Sequence, residues 1–214
     1  MVAITDYKDY GWTPGRTDAH GFLYPTLCAM LELDKSKRIL DLGCGNGVIA
    51  CRLLDQGYDV YGLDASESGI SIANSRYPGR FFVQDISTVA LPVGLDHIEF
   101  DLVISTEVIE HLYAPRSYMQ LIKNILSKEG GEVIISTPYH GYLKNLAMAL
   151  ANKLDGHFTV LWDGGHIKFW SRRTLTILLN EFGFEVIQFK GSGRLPFLWK
   201  SMFIRAAILK KYDD

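Results

Sequence analysis

The sequence is poor in the features that mark secreted, membrane-spanning or polyanion-binding proteins. Its 3 cysteines, Cys28, Cys44 and Cys51, are odd in number and contain no C-x-x-C pair. That argues against both a disulfide framework and a cysteine-built zinc cage. No apolar run reaches the roughly 18 residues of a bilayer span, and the opening MVAITDYKDYGW has neither the basic nor the apolar region of a signal peptide. A cytoplasmic location is therefore expected. With 22 basic against 24 acidic residues the net charge is -2, so general attraction to phosphate polymers is absent, and no dense local patch of Lys and Arg replaces it. No nucleic-acid partner is expected. Internal repeats and low-complexity tracts are also missing.

What is present is a core-forming chain. Of its 214 residues, 48% are hydrophobic, enough for one good core, and a single domain spanning 1–214 is the default expectation. From Arg38 onward, short apolar runs (RILDL, DVYGL, FFVQ, DLVIS and EVIIS) alternate with helical patterns over Val48 to Gln56, Glu67 to Tyr77 and Pro115 to Ser127. That alternation is how a parallel sheet covered by helices reads in sequence. It stops after Ser136. Residues 137–170 form an insertion on the substrate side, a lid or wall, containing one helix, YLKNLAMALANKL, whose Leu143, Leu146, Ala147, Leu150 and Leu154 make an apolar stripe. Such a stripe either packs on its own domain or lies on a membrane surface with Lys144 and Lys153 toward anionic headgroups. The pattern resumes with a helix capped by Ser171 and stopped by Gly183, then two more strands, EVIQFK and FIRAAIL. Residues 1–37 read as an N-terminal lid followed by an apolar helix around Gly21 to Leu33.

The stretch RILDLGCGNG, Arg38 to Gly47, ends a strand in three glycines spaced two apart and opens a helix. A bare backbone there admits a ligand, and helix amides supply donors. The spacing is G-x-G-x-G over Gly43, Gly45 and Gly47, not the G-x-G-x-x-G of dinucleotide sites. As a motif, D-L-G-C-G-N-G resembles the first motif of class I methyltransferases that use S-adenosylmethionine, of the small-molecule type. The resemblance implies a Rossmann-like α/β fold, a seven-stranded mostly parallel sheet in the order 3-2-1-4-5-7-6, with helices on both faces and a lid insertion after strand 5. It further implies S-adenosylmethionine as cofactor, with Asp41, Gly43, Cys44, Gly45 and Gly47 along its methionine and ribose. Asp64, with Ala65, corresponds to the acid that accepts the ribose hydroxyls; Asp85 and Ile86 correspond to the adenine contacts. Residue by residue, the alternatives are ordinary: Asp64 and Asp85 can each be helix N-caps, and the glycines a tight turn.

After the fourth strand, STEVIEHL places Glu107 where this family passes the transferable methyl, and Glu110 with His111 resembles the E-H of ubiquinone-biosynthesis O-methyltransferases and their broad relatives. His111 titrates near neutrality and can take a hydroxyl proton; equally, the pair can support the loop. STPY, with Tyr139, lacks the second proline and follows strand five, unlike the motif of nucleic-acid amino-methyltransferases. GGHIKFWS offers His166 and Trp170, with Tyr139, as a substrate wall, while His140 and His157 are weaker candidates. None of these histidines sits in a short ligand motif, so no metal is expected. Tyr7, Tyr10 and Trp12 are placed to cover a sulfonium, and Arg16 and His20 to meet an acidic substrate. GSGRLPFLWKSM, with Arg194, Leu195, Phe197 and Trp199, forms either a substrate or partner surface or a loop buried against the sheet.

The expected activity is methyl transfer to a small-molecule hydroxyl on a quinol, phenol or sugar. An N-methyl acceptor, a non-catalytic cofactor-binding module and a nicotinamide-dependent dehydrogenase are the rivals. Nothing in the sequence sets the oligomeric state.

Overall fold

All seven apolar runs fold as strands in one sheet. The structure, a computed structural model, describes residues 12–13, 15, 20–31, 35–86, 91–127, 130–158, 160–162 and 164–209. In chain order the elements are α1 (His20–Cys28), β1 (Arg38–Leu42), α2 (Val48–Asp55), β2 (Asp59–Asp64), α3 (Glu67–Arg76), β3 (Phe81–Val83) and β4 (Leu102–Thr106). A 3-10 turn (Ile109–His111), α4 (Pro115–Ile125), β5 (Glu132–Pro138), α5 (Tyr142–Leu150), α6 (Leu154–Phe158), α7 (Arg172–Glu181), β6 (Phe184–Ser192) and β7 (Ser201–Ile208) follow. The strand order is β3-β2-β1-β4-β5-β7-β6, as the resemblance implied. β1 to β5 pair in parallel, and β7 runs antiparallel to both of its neighbours.

Alternation along the strands builds the two faces. Leu40, Leu42 and Val103 point toward α4 and α7, where Tyr118, Leu121 and Leu179 complete one core cluster. Ile39, Leu102 and Ile104 point the other way, onto Leu23 and Leu27 of α1 and Ile49 and Leu53 of α2. Each such side chain contributes roughly 1.5–3 kcal/mol of burial. Because the chain runs outward in one direction from β1 to β3 and in the other from β4, the carboxyl ends of β1 and β4 diverge and leave a crevice, the place where open α/β sheets bind ligands.

Local signals behave as physics requires. Ser171 caps α7, accepting from the Thr174 amide at 3.2 Å while the Thr174 hydroxyl accepts from the Ser171 amide at 3.0 Å. Gly183, at φ 80°, ends that helix.

The insertion departs from expectation. Its single predicted helix is two, because Asn152 at φ 51° turns left-handed, its amide bonding Ala149 O at 3.1 Å and the Lys153 amide Met148 O at 2.9 Å. That pair of bonds is a Schellman stop, and asparagine is the residue after glycine that best tolerates it. On α5 the leucine stripe faces outward, with Leu143, Leu146 and Leu150 exposed, whereas Lys144 is the buried residue of the helix. Lys144 is therefore not placed to meet headgroups. The N-terminal helix is also shorter than expected, ending at Cys28 with turn bonds continuing to Leu31. Tyr7, Tyr10 and Arg16 lie outside the described residues. Among the described residues no helix is long and apolar enough to cross a membrane.

Candidate functional site

The glycine turn after β1 is held in a conformation that excludes side chains. Gly43, Gly45 and Gly47 have φ of 83°, 53° and 74°, left-handed values that glycine adopts at no steric cost. The close approaches are by the protein's own groups. A Cβ at Gly43 would lie 2.4 Å from Val108 of the loop after β4, and one at Gly45 would lie 2.5 Å from the Trp12 ring. The Asn46 side chain donates to Thr13 O at 3.0 Å and Gly15 O at 3.1 Å, so the described part of the N-terminal segment is pinned across the turn. Trp12 thus lies over the glycine loop. Asn46 was not singled out from the sequence; an asparagine between two glycines of the turn was the available signal.

Two carboxyls converge under this turn. Asp41, in β1, is 1% exposed, and its Oδ1 has no hydrogen-bond partner among the described residues. Burial raises its pKa to about 8, the nearby Asp64 carboxylate adds to the rise, and the Ala50 amide offsets part of it. Asp64, ending β2, accepts from the Gly45 amide at 2.8 Å and the Ser66 amide at 2.9 Å, fixing the turn against the start of α3. Ser66, rather than Asp64, is the α3 N-cap, its hydroxyl accepting from the Gly69 amide at 3.1 Å. Ala65 is half-buried beside it, and Cys44 is buried with a thiol pushed far up by the same desolvation and acids. Asp85 and Ile86 follow β3 at the same sheet edge, both half-buried.

Across the crevice, Glu107 sits at φ 56°, in the left-handed region that residues with a Cβ rarely occupy. Strain of this kind, of order 1–3 kcal/mol, persists where surroundings over-determine it. Here they do. The Glu107 amide donates to Ser136 O, the Ser136 hydroxyl donates to Oε1 at 2.8 Å, and the Ser201 hydroxyl donates to Oε2 at 3.0 Å. Burial lifts this carboxyl to about 7 against those two hydroxyls and the Lys144 ammonium. Ser136 and Ser201 were not identified from the sequence, since only the antiparallel pairing of β5 with β7 brings the second within reach.

Glu110 and His111 occupy the 3-10 turn that follows. Glu110 is fully buried, its main-chain carbonyl accepts from the Ile167 and Lys168 amides, and neither carboxyl oxygen has a hydrogen-bond partner among the described residues. Burial and the Glu107 charge hold it well above the ordinary carboxylate range, and the nearby Thr137 hydroxyl offsets only part of this. His111 Nδ1 lies 2.8 Å from Gly164 O. A carbonyl only accepts, so Nδ1 carries the proton and Nε2 keeps its lone pair. Nε2 lies 3.9 Å from Glu110 Oε1, and the ring lies edge-on to His166, centroids 5.0 Å apart. Burial keeps His111 below its usual pKa and takes His166 to about 4. The expectation of no metal rested on sequence spacing. The fold brings ligand atoms of Glu110, His111 and His166 within 4.8 Å of one another, a three-donor set able to hold a cation.

The remaining wall residues divide. Trp170 donates from Nε1 to Ile109 O at 3.4 Å and packs on the main core, so it anchors the 3-10 turn. Tyr139 is half-buried against Trp199, ring centroids 5.1 Å apart. His140 is buried among His157, Phe158 and Phe169, and burial with the Lys144 charge takes it to about 4.

A seven-stranded sheet with an antiparallel β7, a glycine turn over Asp41 and Asp64, and a third acid, Glu107, just beyond β4 define a methyltransferase-type α/β domain. The chain belongs to the methyltransferase domain family, whose model matches residues 19–189. It is 33% identical over 162 residues, 73% of this chain, to the ubiquinone biosynthesis O-methyltransferase of Dinoroseobacter shibae, and 31% identical over 170 residues, 77% of this chain, to that of Roseobacter denitrificans. It spans only 63% and 66% of those relatives' lengths. Among solved structures, an S-adenosylmethionine-dependent methyltransferase of Methanosarcina mazei superposes with a TM-score of 0.64 at 22% identity, covering 88% of this chain and 99% of that one. Magnesium protoporphyrin IX methyltransferase of Synechocystis, solved with S-adenosylhomocysteine bound, gives 0.63 at 20% identity, with 87% and 80% covered.

Proposed function

We propose that this protein transfers a methyl group from S-adenosylmethionine to a hydroxyl of a small-molecule acceptor, a quinol, phenol or sugar. The observation that carries the reading is Asp41, a buried carboxyl with an unpartnered oxygen at the switch point of the sheet. Such a group calls for a cation, and the cofactor's methionyl ammonium is one. Both Asp64 oxygens accept a backbone amide, which fixes this carboxylate at the turn where the ribose hydroxyls would lie. The cofactor fits these residues. When bound, it supplies a methyl group on an electrophilic sulfonium.

In this reading the chain's part is placement and proton handling. Trp12 excludes water over the glycine turn. His111 Nε2, with its tautomer set by Gly164 O, takes the proton that a hydroxyl acceptor loses. Glu110, kept neutral by burial, leaves no fixed anion beside that nitrogen. His166, edge-on to the His111 ring, bounds the acceptor side. The names of the curated relatives favour a hydroxyl acceptor over an amine. The antiparallel β7 opposes the dehydrogenase alternative, whose sheet runs 3-2-1-4-5-6 throughout in parallel.

Calorimetry with S-adenosylmethionine and with NAD tests the cofactor assignment: binding of the first and not the second is expected, and the reverse refutes it. A protein that binds S-adenosylmethionine but never releases S-adenosylhomocysteine with any hydroxyl or amine acceptor would be the non-catalytic module.

A further inference from the structure

A hollow of about 550 Å³ lies between α5 and the loop joining β6 to β7. Its floor and sides are apolar, formed by Ala147, Met148, Leu195 and Leu198, and three cations stand in its wall: Lys144, Lys153 and Arg194. Among the described residues no carboxylate lines it and none of the three cations forms an ion pair. Lys144 is the unusual member. It is 4% exposed, and its ammonium has one acceptor among the described residues, Lys200 O at 3.3 Å. Burial and then the Arg194 charge depress it to about 8. An ammonium taken out of water beside a second cation is costly unless an anion compensates it. Glu107 is the acid near enough to be felt, and two serine hydroxyls already hold its oxygens.

The same lysine borders the site: its ammonium donates to Lys200 O at 3.3 Å, and the next residue, Ser201, donates its hydroxyl to Glu107 Oε2 at 3.0 Å. We propose that the hollow seats the methyl acceptor, and that this acceptor is an anionic amphiphile whose carboxylate or phosphate meets Lys144 and Arg194 while its apolar body lies on Met148, Leu195 and Leu198. This rests on the methyl-transfer reading for what the occupant does, though not for whether it binds. The volume is that of a drug-sized ligand. The apolar lining supplies affinity, and the three cations supply the choice of charge.

The test is calorimetry on the full chain with dodecyl phosphate and dodecanoate below their micelle concentrations, against dodecyl maltoside as a neutral chain and inorganic phosphate as a bare head. Both anionic chains should bind at least about tenfold more tightly than either control. Equal affinity for the neutral chain, or for phosphate alone, overturns the proposal. Lys144→Met, which keeps the length of the buried side chain, and Arg194→Gly, which suits the left-handed φ of 73° at that position, should each cost about tenfold or more. Lys153→Ala, at an exposed position, serves as the third arm should either variant fail to fold. Unchanged affinity in every folded variant overturns it, as does competition between dodecyl phosphate and S-adenosylmethionine. Cofactor binding without amphiphile binding would sink this inference alone; amphiphile binding without cofactor binding would sink the methyl-transfer reading alone.

Discussion

Binding of S-adenosylmethionine should expel a proton from Asp41. With its carboxyl raised to about 8 by burial, about nine in ten molecules carry that proton at pH 7, and ionising it costs about 1.4 kcal/mol. A cofactor ammonium placed against the unpartnered Oδ1 reverses the preference. Roughly 0.9 proton is then released per cofactor bound at pH 7, and affinity rises up to about tenfold per pH unit between pH 6 and 8, levelling above. Titration calorimetry in phosphate and in Tris, whose ionisation enthalpies differ, reads the proton number directly. Asp41→Asn should abolish the linked proton and weaken binding by about 1.5–3 kcal/mol, the scale of a hydrogen bond to a charged group. The free protein gives an independent check. Since the folded pKa lies above the unfolded value of 3.8, the native state holds the extra proton, and this residue's contribution to stability falls from about pH 4 to about pH 8. Asp41→Asn should flatten that part of the profile. Zero linked protons in wild type, or a proton still released by Asp41→Asn, would refute the placement of the ammonium at this acid.

Asp64→Ala should weaken S-adenosylmethionine by about 1.5–3 kcal/mol and also lower the melting temperature, because it frees the Gly45 and Ser66 amides; equal cofactor binding by variant and wild type would discard the ribose assignment. His111→Ala should lower turnover of a hydroxyl acceptor about 10²- to 10⁴-fold with cofactor affinity unchanged, and a loss under about threefold would leave the residue a purely structural role. Leu150→Glu changes a side chain that is 80% exposed, so its unfolding free energy should stay within about 0.5 kcal/mol of wild type. A larger loss by chemical denaturation would mean that the α5 stripe packs inward.

Much of the architecture was legible because it depends on local and periodic signals. The seven apolar runs, the Ser171 cap and the Gly183 stop act within a few residues, and the strand order came with the G-x-G-x-G motif. Asp41, Asp64 and Glu107 could be singled out because each lies within one residue of a strand's carboxyl end. Features that depend on distant segments were not legible. The hydroxyls that hold Glu107 come from β5 and β7, 29 and 94 residues away. The grouping of His111 with His166 needs the insertion to fold back on the 3-10 turn, which the Ile167 and Lys168 amides accomplish at the Glu110 carbonyl. The orientation of α5 was misleading for a physical reason: a leucine stripe predicts the buried face only when the helix packs by that face, whereas this helix turns Lys144 inward.

Methyl transfer is measured most directly by release of S-adenosylhomocysteine. With S-adenosylmethionine supplied, the protein should form it in the presence of phenolic or quinol acceptors, fastest with those carrying an anionic group on an apolar body, and His111→Ala should lose that activity while still binding cofactor. No release above the acceptor-free rate across phenols, quinols, sugars and amines, by a protein that binds the cofactor, would contradict the account.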